Sequence, residues 1–296
     1  MITLYEQKLG FPAEASAFLE ESYERILRTD GALSLIDEAR DGIFNGSGDV
    51  CDKLLCAVAQ QSGVHRYTVD MIFLLTSLSR LSELYEKNGY GEALFLDTMR
   101  DLTVKLYECR MVFGVWGTFV LSWYINFFKM NIFGFGRLQF ERKAFPLDDY
   151  KGILHKGDTV FSCHIPSCMG PLLYDSVIDS LKRAYVFFSG ELKDGIMPVY
   201  CHSWLLYPQH APLFPSGSNL ERFYGLFDIV DSEPDPTNRD FPRIFGVPYS
   251  AETVRYVVED NTLRRNFKKY MCDGNTMGLG HGILLFDGEK IMGLSH

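Results

Sequence analysis

The chain has 296 residues, a net charge of -9, 47% hydrophobic and 23% charged side chains, and 14% aromatics. Its length exceeds one average domain and its apolar content can fill one large core or two smaller ones, so a disordered or collagen-like chain is excluded. The acidic balance argues against a protein that holds nucleic acid by neutralising phosphates.

The N-terminus, MITLYEQKLG, lacks the basic region and apolar run of a signal peptide. From Pro12 to about Met130 the pattern is helical. PAEASAFLEESYERILR sets Phe18, Tyr23, Ile26 and Leu27 near one face, with Pro12 suited to a first turn. Asp49 precedes a helical run with Val50, Leu54, Leu55, Val58 and Ala59, and Gly63 supplies its stop. Two longer helices are expected over residues 68–87 and 91–113, parted by Asn88 and Gly89. The most apolar stretch, Val112 to Phe128, contains Gly114, Gly117, Ser122 and Asn126 and falls short of the roughly 20 apolar residues of a membrane span; a buried helix and no membrane association are expected. Residues 1–130 read as an all-helical domain.

After Asn131, period-2 runs alternate with helices. GRLQFERKAF puts Leu138 and Phe140 on one strand face and Arg137, Gln139 and Glu141 on the other. DTVFSCHIP, MPVYCHSWLL, FDIV and HGILLF read as further strands, with helices over 172–188, about 218–227 and 261–271. Ser232 to Pro242 reads as a polar, proline-rich surface loop. This order predicts a mixed α/β sheet domain over 131–296, and an α+β protein overall. The seven cysteines form no CxxC pair, so reduced thiols in a cytoplasmic protein are expected rather than a zinc ribbon or a disulfide framework. No HExxH or DxDxDG spacing occurs and no metal site is predicted. The glycine-rich GNTMGLGHG lacks the Lys-Ser/Thr of a phosphate loop and precedes a strand, so it reads as a close backbone approach.

The segment Asp158 to Phe188 runs from a strand through a Gly/Pro loop into a helix, and the free N–H groups and positive dipole of a helix start can hold an anion. Pro171 suits the first helical position, and Gly170 lets backbone come close to a ligand. Many α/β proteins carry such a turn with nothing bound.

GRLQFER, CHIPSCMGPLLYDSVIDSLKRAYVFF, CHSWLLYP, SNLERF and NTLRRNFKKYMCDGNTMGLGHG, in that order, resemble a bacterial family of acyltransferase-domain proteins with a helical N-terminal domain and a GNAT-like C-terminal domain. The resemblance implies the GNAT-type fold and transfer of an acyl group from acyl-coenzyme A. It sets the loop Ile165, Pro166, Ser167, Cys168, Met169 and Gly170 where GNAT enzymes bind the coenzyme A pyrophosphate. The common GNAT loop is glycine-rich; here Gly170 stands alone, and Pro166 and Pro171 lack N–H donors.

Transfer from a thioester to an amine needs a base, an oxyanion partner and an acid for the leaving thiolate. Glu141, on the polar strand face, is a candidate base; a solvated carboxylate is the plainer alternative. His164 lies beside the expected carbonyl, with a satisfied core histidine as the alternative. By the resemblance Tyr224 is the candidate acid, although Phe223 competes for the inward position. Ser203 and Trp204 are candidates for the acyl or pantetheine channel, or core residues. Asn219 joins the cofactor-binding candidates, with Ser218 the better helix cap. On a strand His202 points away from Cys201 and Ser203; a cross-strand pair such as Cys163 with His202 would mean covalent transfer or hydrolysis.

The leading expectation is an acyl-CoA-dependent N-acyltransferase with an amine acceptor, no nucleic acid partner and direct transfer. A non-catalytic acyl-CoA sensor and, third, a thiol-dependent hydrolase are the rivals. The assembly state, a homodimer included, is left open.

Overall fold

The computed structural model describes residues 2–167 and 169–292, the side chains of residues 2 and 3 apart. The chain forms two compact units, residues 1–134 and 135–296.

The first unit consists of α1 (Ile2–Leu9), α2 (Ala13–Leu27), α3 (Ala32–Asn45), α4 (Gly48–Ser62), α5 (Arg66–Lys87), α6 (Gly91–Met99), α7 (Asp101–Phe113) and α8 (Tyr124–Phe128). α5 is buried nearly all round, from Val69 through Leu75, Leu78 and Leu81 to Tyr85, and packs against α1, α2, α3, α4, α6 and α7. A helix apolar on every side can only be a central one. The apolar stripe of α2 differs from the expected face: Ala15, Leu19, Ser22 and Ile26 are buried, whereas Phe18 and Leu27 are exposed. Gly63 ends α4 in the left-handed region, as its sequence position suggests.

Two expected helices are broken. Residues 91–113 divide into α6 and α7 at Arg100, where the chain returns at Gly134, whose N–H donates to Thr98 Oγ1 at 2.9 Å. Residues 112–128 are not one helix: α7 stops at Gly114 (φ 70°), and Thr118 N–H donates to the Tyr67 carbonyl at 2.9 Å. That crossing leaves no room for a side chain at Gly117, whose added Cβ would lie 2.4 Å from Tyr67 O. No described helix is long and apolar enough to cross a membrane.

Strand β1 (Ile132–Phe135) leads into the second unit, which contains β2 (Leu138–Ala144), β3 (Asp149–Tyr150), β4 (Leu154–His155), β5 (Thr159–His164), α9 (Tyr174–Phe188), β6 (Met197–Ser203), α10 (Asn219–Tyr224), β7 (Asp228–Pro234), α11 (Phe241–Phe245), α12 (Thr253–Tyr256), α13 (Thr262–Cys272), β8 (Gly278–Phe286) and β9 (Ile291–Met292). The main sheet has the order β1-β2-β5-β6-β8-β7, with β9 also on β8. The β5–β6 pair is parallel; the pairs β2–β5, β6–β8, β7–β8 and β8–β9 are antiparallel. The protein is therefore a mixed α+β structure with a mixed sheet.

Strand alternation gives the sheet two unlike faces. Phe140, Phe161 and Cys163 look toward α9, where the Phe161 and Phe188 rings lie 4.3 Å apart and the Arg142 guanidinium sits over Phe188. The other face carries Val160, Tyr200, Ile283 and Leu285 at one end, in a core cluster with Phe145, Tyr150 and Leu154 from the β3–β4 hairpin. Its other end is polar.

The stretch 232–242 is more structured than a surface loop. Residues 232–234 belong to β7, and buried Asp235 accepts from Thr237 Oγ1, Arg239 N and Arg239 Nε. Buried Asn238 accepts from Met277 N at 2.8 Å. The glycines of GNTMGLGHG lie largely inside β8, where they permit close approach: a Cβ on Gly280 would stand 1.9 Å from Leu206 O. Gly280→Ala is expected to lower stability by about 3 kcal/mol, read as a fall in denaturation midpoint.

His210 is fully buried among Trp204, Tyr207, Phe267 and Tyr270, its Nδ1 donating to the Trp204 carbonyl at 2.7 Å. Burial lowers its pKa from 6.5 to about 4. The unfolded chain takes up a proton that the folded chain refuses, so this contribution is present above pH 6.5 and is lost as the pH falls through 4. Denaturation at pH 7 and pH 4 should show His210→Gln losing about 3 kcal/mol less than the parent.

Candidate active site

The parallel strands β5 and β6 pair at Phe161↔Val199 and Ser162↔Tyr200, and among the described residues their register ends there. Each stays paired on its outer flank, β5 to β2 as far as Gln139↔His164 and β6 to β8 as far as Ser203↔Gly280. The outer edges therefore stay paired where the shared edge of β5 and β6 beyond Ser162 and Tyr200 does not.

Both lips of this unpaired edge carry an imidazole bound to a carboxylate, on the polar face. On β2 and β5, Glu141 stands opposite Ser162 in register and its Oε2 lies 2.9 Å from His164 Nε2. The carboxylate is 12% exposed, so Glu141 is a half-buried, paired carboxylate rather than a fully solvated one. These two sequence candidates are brought together.

The second lip was not assembled from the sequence. His202 on β6 is directly opposite His281 on β8, and their rings stack 4.0 Å apart with planes 15° from parallel. Glu233 on β7 reaches both: Oε1 is 3.3 Å from His202 Nε2 and Oε2 is 3.9 Å from His281 Nε2. A register shift between Ile229 and Asp231 brings β7 to this alignment. Tyr200 OH lies 2.5 Å from His281 Nδ1. Burial first, and the neighbouring His281 second, lower the His202 pKa below its ordinary value, which favours a neutral imidazole at neutral pH.

Two histidines and a glutamate with ligand atoms all within 4.8 Å have the composition of a divalent-metal site. Their arrangement does not suit one. Metal–imidazole bonds of about 2.0 Å lie in the ring plane, and an ion between two stacked, near-parallel rings would sit well out of both planes. The arrangement suits one carboxylate serving two imidazoles.

Cys163 and His202 lie on opposite faces of the sheet, because Cys163 shares the α9 face with Cys201. The thiol of Cys163 hydrogen-bonds with Cys201, and this together with burial holds its pKa well above the ordinary thiol value. A thiol–imidazole nucleophile is therefore not assembled here.

The loop after β5 departs from expectation at its far end. α9 begins at Tyr174, with Leu173 in the cap position, so Pro171 precedes the helix by three residues and does not occupy its first turn. Pro171, Leu172 and Leu173 all precede the first turn, Leu173 with extended backbone, which sets the loop back from the helix dipole. Gly170 has φ 75° and open space where a Cβ would stand. Cys168 lies outside the described residues. Arg137, which was not a sequence candidate, braces the loop by donating to the carbonyls of Pro166 at 2.8 Å and Pro171 at 3.4 Å, and so brings a guanidinium to its base.

The remaining candidates sit at the end of β6, in the turn after it and on α10. Ser203 caps the turn after β6 by accepting from Leu205 N, and Trp204 has left the strand for a 3-10 turn, where it packs against Phe214 and Phe267. Ser218 caps α10, accepting from Glu221 N, and Asn219 is its first residue. Phe223 takes the inward position, and Tyr224 is half-buried, its phenol pKa raised by burial. Between α9 and the end of α10 runs an open groove of about 830 Å³, bordered by Asp175, Asp179 and Glu289 as well as Lys182, Arg222 and Lys290.

A sheet whose central parallel strands cease to pair, with a loop and helix after the first of them, defines a GNAT-like acyltransferase fold. Residues 132–284 match the model of the GNAT-like C-terminal domain, and residues 3–130 match that of the N-acyltransferase N-terminal domain. The chain belongs to the family that joins these two domains. A solved acyltransferase mutant in complex with octanoyl-CoA is similar at a TM-score of 0.71 and 19% identity, over 94% of this chain and 85% of that one. An acyltransferase in complex with decanoyl-CoA and teicoplanin is similar at 0.68 and 18%, over 95% and 98%; one with decanoyl-CoA alone gives 0.68 and 20% over the same shares. No curated protein matches the chain in sequence.

Because Cys163 faces away from both imidazoles, Cys163→Ala should leave acyl transfer within about twofold of the parent while costing about 1 kcal/mol of stability. Steady-state rates and a denaturation curve on the same preparation check both.

Proposed function

We propose that this protein is an acyl-CoA-dependent N-acyltransferase that moves a fatty acyl group directly to an amine. The observation that carries the reading is the pair of carboxylate-bound imidazoles on one face of the sheet, on either side of the edge where β5 and β6 cease to pair. The thioester would lie along this edge, with the diphosphate of coenzyme A at residues 165–170 near Arg137. The groove beside α9, where Lys182, Arg222 and Lys290 alternate with Asp175, Asp179 and Glu289, would take the nucleotide end through its basic residues. Octanoyl- and decanoyl-CoA in similar structures favour a medium-chain donor. Teicoplanin in one of them makes an amine on a glycopeptide or amino sugar the first acceptor class to test. An acyl-CoA donor and reduced thiols fit a cytoplasmic site of action.

His202 is the proposed general base. With Nε2–H donated to Glu233, its Nδ1 lone pair is left for the substrate, and the carboxylate stabilises the imidazolium that forms. The amine nitrogen attacks the thioester carbonyl carbon, its proton passes to His202 Nδ1, the C–S bond breaks, and the coenzyme A thiolate takes a proton from Tyr224 or water. The 2.9 Å bond between Glu141 and His164 supports a second assignment, with His164 as base. The unusual loop, with one glycine and two prolines, favours the rival that the protein binds acyl-CoA without turnover.

Release of free coenzyme A from octanoyl-CoA, measured across a panel of amines, tests the activity; tight octanoyl-CoA binding with no release for any amine would favour the sensor. His202→Gln should lower kcat by about 10²–10⁴-fold with octanoyl-CoA binding intact, and His164→Gln by about tenfold or less. The reverse order would move the base to His164.

A further inference from the structure

We infer that His281, anchored by Tyr200, is a positioning residue that fixes the tautomer, ring orientation and charge state of His202 by stacking on it and sharing Glu233. The inference rests on the reading of His202 as the general base. Its geometric ground is a continuous line of side chains across three strands, from Tyr200 OH to His281 Nδ1 at 2.5 Å, from the His281 ring to the His202 ring at 4.0 Å, and from both Nε2 atoms to the two oxygens of Glu233.

The tautomers follow from the partners. Burial raises the phenol pKa of Tyr200, so its hydroxyl keeps its proton and donates to His281 Nδ1. The His281 proton then resides on Nε2, directed at Glu233 Oε2. With Oε2 facing His281, Oε1 remains for His202 Nε2–H, and His202 presents Nδ1. With the two rings 4.0 Å apart, a positive charge on either imidazole raises the cost of charging the other, so the pair that shares Glu233 resists a second proton. His281 thus opposes proton uptake by His202, whereas Glu233 favours it. Lys143 on β2 also opposes proton uptake by His202, and Asp231 on β7 stands opposite His281 in register.

The two partners therefore pull in opposite directions, a signature that loosened packing would not produce. Exposure of the ring to water by any route would return His202 towards its ordinary value, which lies above its present one.

The test is histidine-ring NMR titration of the full chain, with the His202 resonance assigned from His202→Gln, alongside pH profiles of kcat/KM. His281→Asn should move the His202 midpoint upward and Glu233→Gln should move it downward; the acidic limb of kcat/KM, which needs neutral His202, should follow each. Tyr200→Phe should remove the Nε2–H preference of His281, read from its ring nitrogen shifts. A His202 midpoint unmoved by His281→Asn, or one that moves upward in both variants, overturns the inference. Midpoints that move in opposite directions while the kcat/KM limb stays put uphold the His281 role and remove His202 as the base.

Discussion

Two parallel strands that pair for two residues and then cease to pair govern the second unit. β5 is tied on its outer side to β2 and β6 to β8 along their lengths, so the unpaired backbone falls on their shared edge. The remaining layout follows from that division. α9 and its aromatic contacts close one face behind the strands, and the β3–β4 hairpin closes the near end of the other. The far end of the second face, where the strands no longer pair, is left for polar side chains. A fully paired sheet would have no such place at its centre.

Around that place, the chemistry is set by alternation. The register that sends Cys163 and Cys201 to the apolar face sends His164 and His202 to the polar one, so a single parity decides which side chains meet a substrate. The carboxylates come from the flanking strands, Glu141 from β2 and Glu233 from β7, and each is close enough to its imidazole to orient it. Holding the first-contact residues on strands rather than loops keeps their geometry tied to the sheet.

Much of this could be read from the sequence wherever the determining contacts are local. The β2 alternation of Leu138 and Phe140 against Gln139 and Glu141 is that of the structure, as is the cap at Ser218. The opposed directions of Cys201 and His202 were readable for the same reason. What could not be read depends on partners far along the chain. The His202–His281 stack joins residues 79 positions apart, and Glu233 sits in a Pro/Asp-rich stretch that has every local mark of a loop. Likewise nothing near Arg100 announces the break between α6 and α7, because its cause is the return of the chain at Gly134. Pro171 misled in the opposite way: it is suited to a helix start, but Leu172 and Leu173 still stand between it and the helix itself.

β7 lies at the end of the sheet order, where a strand's outer backbone groups invite pairing with another molecule. It bears Asp228, Asp231 and Glu233 and finishes at Pro234, and like charges and a proline are the usual means by which an edge strand resists such pairing. The strand that supplies a carboxylate to the paired imidazoles thus also guards the sheet against edge-to-edge association. Neutralising its acidic residues would bear on solubility as well as on chemistry, and sequence drift along β7 is constrained from both directions.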